Sequence, residues 1–127
     1  MDIPMAGAPP QPSGAALTAE QQKEWDDLLA QNDLVLFMKG TPDQPQCGFS
    51  ARAAGVLQQL GHPFAHVNVF DQPDPLRTIH AIAEYARFPT LPQVWVKGEL
   101  IGGSDIALEL FESGELQEML ASTPAKP

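Results

Sequence analysis

Short apolar runs alternate with helical patterns along most of this chain. Leu34 to Met38 is wholly apolar and ends at Lys39-Gly40, which is the pattern of a strand buried on both of its faces. Upstream, Thr18-Ala19-Glu20-Gln21 has the spacing of a capping box ahead of apolar residues at helical intervals. These features predict a helix over about residues 19–31, followed by a buried strand.

A second helix and a second strand follow. From Gly48 to Leu60 apolar residues recur at helical spacing, and Gly61 stands at the usual stop position. The predicted apolar face consists of Phe49, Ala53, Val56, Leu57 and Leu60. Alternating side chains from Phe64 to Phe70 predict the next strand, and together these elements make a βαβ unit.

The second half of the chain predicts a helix, a hairpin and two further helices. The first helix spans Leu76 to Ala86, and Pro89 ends its pattern. Its predicted apolar face is Leu76, Ile79, Ile82, Ala83 and Ala86. Two strands, Gln93–Val96 and Glu99–Ile101, flank a two-residue turn at Lys97-Gly98.

A helix opening at Gly103-Ser104-Asp105 and stopping at Gly114, then a short helix near Glu115 to Leu120, complete the pattern. The order of elements predicts an α/β fold in which helices flank both faces of a mixed four-stranded sheet. This is the thioredoxin-like plan.

Composition narrows the class of protein. Sixteen acidic and seven basic residues in 127 give a net charge of −9, which disfavours a nucleic-acid surface. A single cysteine excludes an intramolecular disulfide, so we expect a reducing, cytoplasmic location. No apolar run approaches the roughly 20 residues that a membrane helix needs, so no membrane partner is expected.

The two ends differ from the middle. Residues 1–17 are rich in Pro and Gly and contain no Lys or Arg, so they predict a disordered N-terminal tail and no targeting signal. We therefore place one domain over residues 18–120 and a second disordered tail over residues 121–127.

Cys47 is the candidate reactive group. It lies between the first strand and the second helix, where the helix dipole and unpaired N–H groups favour a thiolate. Lys39, at the end of the strand, would add positive charge. The alternative is a small buried hydrophobe, but Pro42, Pro45 and Gly48 indicate an exposed turn.

Four collinear segments carry a family resemblance. They are Lys39-Gly40-Thr41-Pro42, Cys47-Gly48-Phe49-Ser50, Pro89-Thr90-Leu91-Pro92-Gln93 and Gly98-Glu99-Leu100-Ile101-Gly102-Gly103-Ser104-Asp105-Ile106. From about Thr18 to Leu120 the chain resembles monothiol glutaredoxins. The resemblance implies a glutathione-binding protein that forms a homodimer bridged by a [2Fe–2S] cluster and transfers that cluster. BolA-like proteins and apo iron–sulfur recipient proteins would be its partners.

The ligand count agrees with that implication. A [2Fe–2S] centre takes four ligands, usually thiolates, and this chain has one cysteine. Two Cys47 thiolates and two glutathione thiolates would close the count. Such a cluster would be easily released, which suits a carrier. The alternative is that Cys47 binds glutathione as a mixed disulfide and never binds iron.

The resemblance also implies how glutathione is bound. Lys39 would approach its glycine carboxylate, and Leu91, before a cis Pro92, would pair with its cysteine backbone. The implied glutathione residues are Lys39, Arg77, Thr90, Leu91, Gly103, Ser104 and Asp105. The alternatives to Arg77 are Arg87 or neither arginine, because one extra residue before Arg77 and two between Arg77 and Pro89 would shift the helix phase relative to the family. The N-terminus of the helix at Gly103 suits the γ-glutamyl carboxylate, and Asp105 could accept from the ammonium, while Ser104 could simply be a helix cap.

The chain departs from the family pattern at four positions. Ser104 replaces a cysteine found in many relatives, which excludes a disulfide with Cys47. Asn68 stands for Asp and Phe88 for Trp, and both substitutions look compatible with the fold. Glu84 stands where relatives often have Lys, which would weaken the basic side of a glutathione groove.

Two other functions remain open. Cys47 could attack glutathionylated substrates, with a second glutathione resolving the mixed disulfide. Ser50, where dithiol relatives have cysteine, argues against reduction of protein disulfides. The chain could instead be an adaptor whose acidic C-terminal helix binds a partner without redox chemistry.

Overall fold

Five α-helices and four strands follow one another in the computed structural model, which describes residues 16–121. The helices are α1 (Ala19–Gln31), α2 (Gly48–Leu60), α3 (Pro75–Ala86), α4 (Ser104–Ser113) and α5 (Glu115–Ala121). The strands are β1 (Leu34–Met38), β2 (Ala65–Asn68), β3 (Gln93–Val96) and β4 (Glu99–Gly102). The predicted tails lie outside the described residues, apart from Ala16, Leu17 and Ala121.

The strands form one mixed sheet in the order β2-β1-β3-β4. β1 runs parallel to β2 and antiparallel to β3, as expected for a βαβ unit followed by a hairpin. Lys97 and Gly98 form the predicted two-residue turn, with φ values of 51° and 85°. This left-handed backbone matches the twist of the flanking strands. The predicted α/β architecture is confirmed.

β1 lies at the centre of the core, because every one of its five residues is buried. On one face, Leu36 packs in a cluster with Leu57 of α2 and Ala107 of α4. On the other face, Phe37 packs with Trp25 of α1 and other apolar residues of α1 and α3. The wholly apolar sequence of β1 is therefore explained by helices on both sides of the sheet.

The second strand is shorter than the predicted run from Phe64 to Phe70. β2 ends at Asn68, and Val69–Asp71 forms a 3₁₀ turn. The side-chain oxygen of Asn68 accepts a hydrogen bond from the Phe70 N–H at 2.9 Å. This local side-chain bond competes with the strand ladder and turns the chain.

Two predicted apolar faces contain an exposed member. Phe49 of α2 is 59% exposed and Leu76 of α3 is 67% exposed. Both lie in the first turn of their helices. The other predicted members of these two faces are buried or partly buried.

α1 begins with the predicted capping box. Thr18 Oγ1 accepts from the Gln21 N–H, and Gln21 Oε1 accepts from the Thr18 N–H, both at 3.0 Å. Just before it, the Leu17 N–H donates to Glu84 Oε1 at 3.3 Å. Within residues 16–121, no helix is long and apolar enough to cross a membrane.

Candidate functional site

Cys47 is the N-cap residue of α2, one position before the predicted first turn. Its φ and ψ of −155° and 138° are those of extended chain, and Gly48 begins the helix. The thiol is half-buried. The side chain makes no cap hydrogen bond, and the N–H groups of the first turn act on the sulfur.

This placement lowers the pKa of the Cys47 thiol below its ordinary value. The Ser50 backbone N–H contributes most, and partial burial of the thiol opposes it. The Phe49 N–H, the charge of Lys39 and the Ser50 hydroxyl then lower the pKa further, in that order. Positive potential at a helix N-terminus stabilises an anion there. The geometry therefore favours a thiolate.

A tight loop joins β1 to Cys47. The Gln46 N–H donates to the Lys39 carbonyl at 2.9 Å, which closes the segment between them. Gly40, inside the loop, has φ of 94°, and an added Cβ would lie 2.6 Å from both Gln44 O and Gln46 N. Only glycine fits there.

Asn68 supports the same loop from β2. Its Oδ1 accepts from the Gly40 N–H at 2.9 Å as well as from Phe70. An amide oxygen accepts hydrogen bonds as a carboxylate oxygen does. The expectation that Asn is compatible with this position is confirmed.

Ser50 is a structural link between β1 and α2. It is fully buried, and its Oγ accepts from the Lys39 N–H at 3.1 Å. The residue that replaces the second cysteine of dithiol proteins thus fixes the end of β1 against the start of α2.

A groove opens beside the start of α2. We call it the α2–α4 groove; its volume is about 390 Å³. It is lined by Phe49, Phe88, Thr90, Leu91, Pro92, Gly103, Ser104, Asp105 and Ile106. The structure therefore brings together five of the residues predicted to bind glutathione, from two segments distant in sequence. Phe49, exposed rather than in the core, forms the wall nearest Cys47 in sequence.

The backbone of the groove agrees with one prediction and corrects another. The Leu91–Pro92 peptide bond is cis, as the resemblance implied. Ser104, however, is not the cap of α4. Gly103 is the N-cap, while Ser104 begins the helix and is 5% exposed. Because glycine has no side chain, no side-chain oxygen at the N-cap accepts from the first N–H groups of α4.

The two candidate arginines lie outside the groove lining. Arg77 is exposed in the first turn of α3. Arg87 lines an adjoining pocket together with Glu84 and with Phe88, which the two pockets share. Glu84 therefore lies beside the groove rather than in it, and its carboxylate accepts from Leu17. Arg87 is therefore closer to the groove than Arg77, because Arg87 is adjacent to Phe88 of the groove and Arg77 lines neither of these two pockets.

Sequence reasoning missed Gln93, which is fully buried. Its Nε2 lies 3.3 Å from Phe88 O and 3.4 Å from Thr90 O, and its Oε1 accepts from Trp95 Nε1 at 3.3 Å. The amide thus ties the loop that lines the groove to the sheet. A polar residue within an otherwise apolar strand was the available signal.

Arg52 was also missed. It lies in α2, and its Nη1 is 2.9 Å from Oδ1 of Asp105, a residue that lines the groove. Nothing in the sequence pairs two residues 53 positions apart.

A family model and curated relatives each match more than half of this chain. The family model described as Glutaredoxin matches residues 34–101. Glutaredoxin 4 of Escherichia coli (strain K12) is 46% identical over 99 residues, which cover 77% of this chain and 83% of that protein.

Solved structures agree. The solution structure of reduced poplar apo GrxS14 is 42% identical, with a TM-score of 0.64 over 78% of this chain and 88% of that one. The crystal structure of a buckwheat glutaredoxin–glutathione complex is 29% identical, with a TM-score of 0.67 over 81% and 93%. Among residues 16–121, no three His, Cys, Asp or Glu side chains are grouped as a metal site.

Proposed function

This chain belongs to the glutaredoxin family and resembles its monothiol members such as Glutaredoxin 4; from that premise we propose that it binds glutathione and carries a labile [2Fe–2S] cluster. Two protomers would share the cluster. The cluster is the cargo of the protein, passed on to apo iron–sulfur proteins.

One observation supports the proposal above others: a half-buried Cys47 with a lowered pKa beside the α2–α4 groove. The thiolate is the form of cysteine that binds iron. The groove adds the start of α4, where a carboxylate is favoured, and the backbone of Leu91 before the cis Pro92. A short peptide with a free carboxylate and a thiol, such as glutathione, suits this combination.

The ligand count requires two chains and an outside thiol. Each chain supplies one thiolate, Cys47. Four thiolate ligands then require two protomers and two glutathione molecules. Because two of the four ligands would be small exchangeable molecules, the cluster would leave readily. We further propose BolA-like proteins as partners in its transfer.

The test is anaerobic reconstitution with ferrous iron and sulfide, with glutathione, with 2-mercaptoethanol instead, or with no thiol. Visible absorption, iron and sulfide analysis and size-exclusion chromatography follow on the same samples. We expect a brown dimer, with about two irons per dimer, only when glutathione is present.

Cys47→Ser is the matched control. It removes one ligand per chain while keeping a side chain of similar size, and we expect a colourless monomer with an unchanged thermal midpoint. A colourless wild-type protein under every condition would contradict the proposal. So would a cluster that forms equally well in Cys47→Ser.

The lowered pKa of Cys47 also favours a second function, removal of glutathione from glutathionylated substrates. The Cys47 thiolate attacks the glutathione sulfur, the substrate thiolate leaves, and a Cys47–glutathione disulfide forms. A second glutathione thiolate then attacks that disulfide, which yields oxidised glutathione and restores Cys47. Turnover of a glutathionylated peptide, with oxidised glutathione measured as product, tests this function independently of iron.

A further inference from the structure

We propose that Arg52 determines specificity at the γ-glutamyl end of the bound peptide, by binding the α-carboxylate while Asp105 binds the α-ammonium. The inference rests on the proposed glutathione binding and assigns one further residue to that site.

Arg52 and Asp105 lie close to the proposed glutathione site. Arg52 projects from α2 and meets Asp105, which lines the groove in the first turn of α4. The pair spans the two helices whose N-termini border the groove. Asp105 lines the groove and Arg52 contacts Asp105, so a ligand that reaches the start of α4 lies within reach of the pair.

The charges of Arg52 and Asp105 are complementary to those of the γ-glutamyl residue. The γ-glutamyl residue ends in an ammonium and a carboxylate on the same carbon, so its two charges lie only a few ångströms apart. Arg52 and Asp105 present the opposite charges at a separation of 2.9 Å. A zwitterion of that size can face the pair with each of its charges beside the opposite one.

Arg52 and Asp105 each have hydrogen-bonding capacity left for a ligand. The ion pair involves Nη1 of Arg52 and Oδ1 of Asp105. A guanidinium has five N–H donors, and a carboxylate has two oxygens. Each group can therefore bind a ligand charge without breaking the existing contact. Because no side chain caps α4, its first N–H groups could also donate to the ligand carboxylate.

Exposure sets the size of the effect. The Arg52 and Asp105 side chains are 50% and 80% exposed, so water and salt weaken each interaction. We expect Arg52→Gln to weaken glutathione binding about three- to tenfold at low salt. It should leave the thermal midpoint nearly unchanged.

The experiment is calorimetric titration of the reduced full-length protein at low salt with three peptides. They are glutathione, its analogue lacking the α-carboxylate (4-aminobutyryl-Cys-Gly) and its analogue lacking the α-amine (glutaryl-Cys-Gly). Arg52→Gln should weaken binding of glutathione and of glutaryl-Cys-Gly, but not of 4-aminobutyryl-Cys-Gly. Arg52→Lys should restore part of the loss.

Lys23→Gln is the matched control. Lys23 forms an exposed ion pair with Asp27 at the same 2.9 Å distance, on α1, and its loss should change no affinity. If wild type binds glutathione and Arg52→Gln binds it equally well, the inference is wrong but the proposed function stands. An Arg52→Gln loss that persists with 4-aminobutyryl-Cys-Gly also overturns it. If wild type binds no glutathione, both fail.

Discussion

At the residue scale, the backbone around Cys47 affects the thiol more than the nearest cation does. The Ser50 N–H is the largest cause of the lowered pKa, and Lys39 ranks behind both this group and the Phe49 N–H. These N–H groups are fixed by the start of α2. The thiolate is therefore favoured chiefly by where the helix begins, and only secondarily by the choice of Lys39.

Replacing Lys39 by Met tests that ranking. Removing the positive charge should raise the pKa of Cys47, so alkylation by iodoacetamide should slow at neutral pH and its rate-against-pH midpoint should move up. Because the N–H groups remain, the midpoint should stay below that of Cys47 in an unfolded peptide. The rate profile from weakly acidic to alkaline pH measures both.

Lys23→Met provides the comparison, since it removes an exposed charge from α1 and should leave the midpoint unchanged. If Lys39→Met brings the midpoint to the peptide value, the lysine and not the helix start is the main cause.

At the element scale, the junction between β1 and α2 determines where the thiol lies. Ser50 links to the Lys39 N–H, and Asn68 links β2 to the Gly40 N–H. Two strands and one helix thus converge on a loop that contains a glycine which no other residue can replace without a shift. A change in the loop should affect both the fold and the position of Cys47.

Alanine substitutions at one loop glycine and at one helix glycine test this loop geometry. Gly40→Ala forces a Cβ to within 2.6 Å of two backbone atoms at a positive φ, and we expect a loss of about 2–4 kcal/mol. Gly55→Ala, within α2 and with no atom beyond its own helix backbone within 4 Å of the added Cβ, should gain about 0.5–1 kcal/mol. Denaturant unfolding measures both. Equal effects at the two positions would contradict the loop geometry.

At the scale of the whole molecule, α1 and α3 form one layer against the sheet. Tyr85 of α3 donates its hydroxyl to Asp26 Oδ1 of α1 at 2.6 Å, and its ring meets Trp25 and Trp95. Desolvation is the main cause that raises the pKa of Tyr85, and the hydrogen bond and charge of Asp26 add to it. The phenol therefore stays protonated in the folded protein well beyond neutral pH.

Tyr85→Phe should lower the free energy of unfolding at neutral pH by about 1 kcal/mol, because it removes the hydrogen bond and keeps the ring. The wild-type advantage is fully present below the unfolded tyrosine pKa of about 10. It declines above that pH, because only the unfolded state then loses its proton. Unfolding of both proteins between pH 7 and 11 measures the difference. An advantage that grows with pH would contradict this assignment.

Much of this protein followed from its sequence alone. Hydrophobic periodicity predicted each helix and strand, because the spacing of apolar residues along the chain reflects which face of an element is buried. α1 and β1 have their predicted bounds. Cys47 and the segments around Leu91 and Asp105 were also identified from the sequence, because these segments occur in the same order as in the family that the chain resembles.

Tertiary structure decided the rest. It ended β2 at Asn68 through a side-chain hydrogen bond, exposed Phe49 to line the groove, and made Gly103 rather than Ser104 the cap of α4. It also paired Arg52 with Asp105 and buried Gln93 beneath the groove loop. The Arg52–Asp105 pair and the groove that Phe49 shares with Leu91 join segments far apart in sequence, and a local pattern contains no information about which distant atoms will meet. The bonds of Asn68 and Gln93 join residues close in sequence, but the order of apolar and polar residues does not specify which polar atoms will pair.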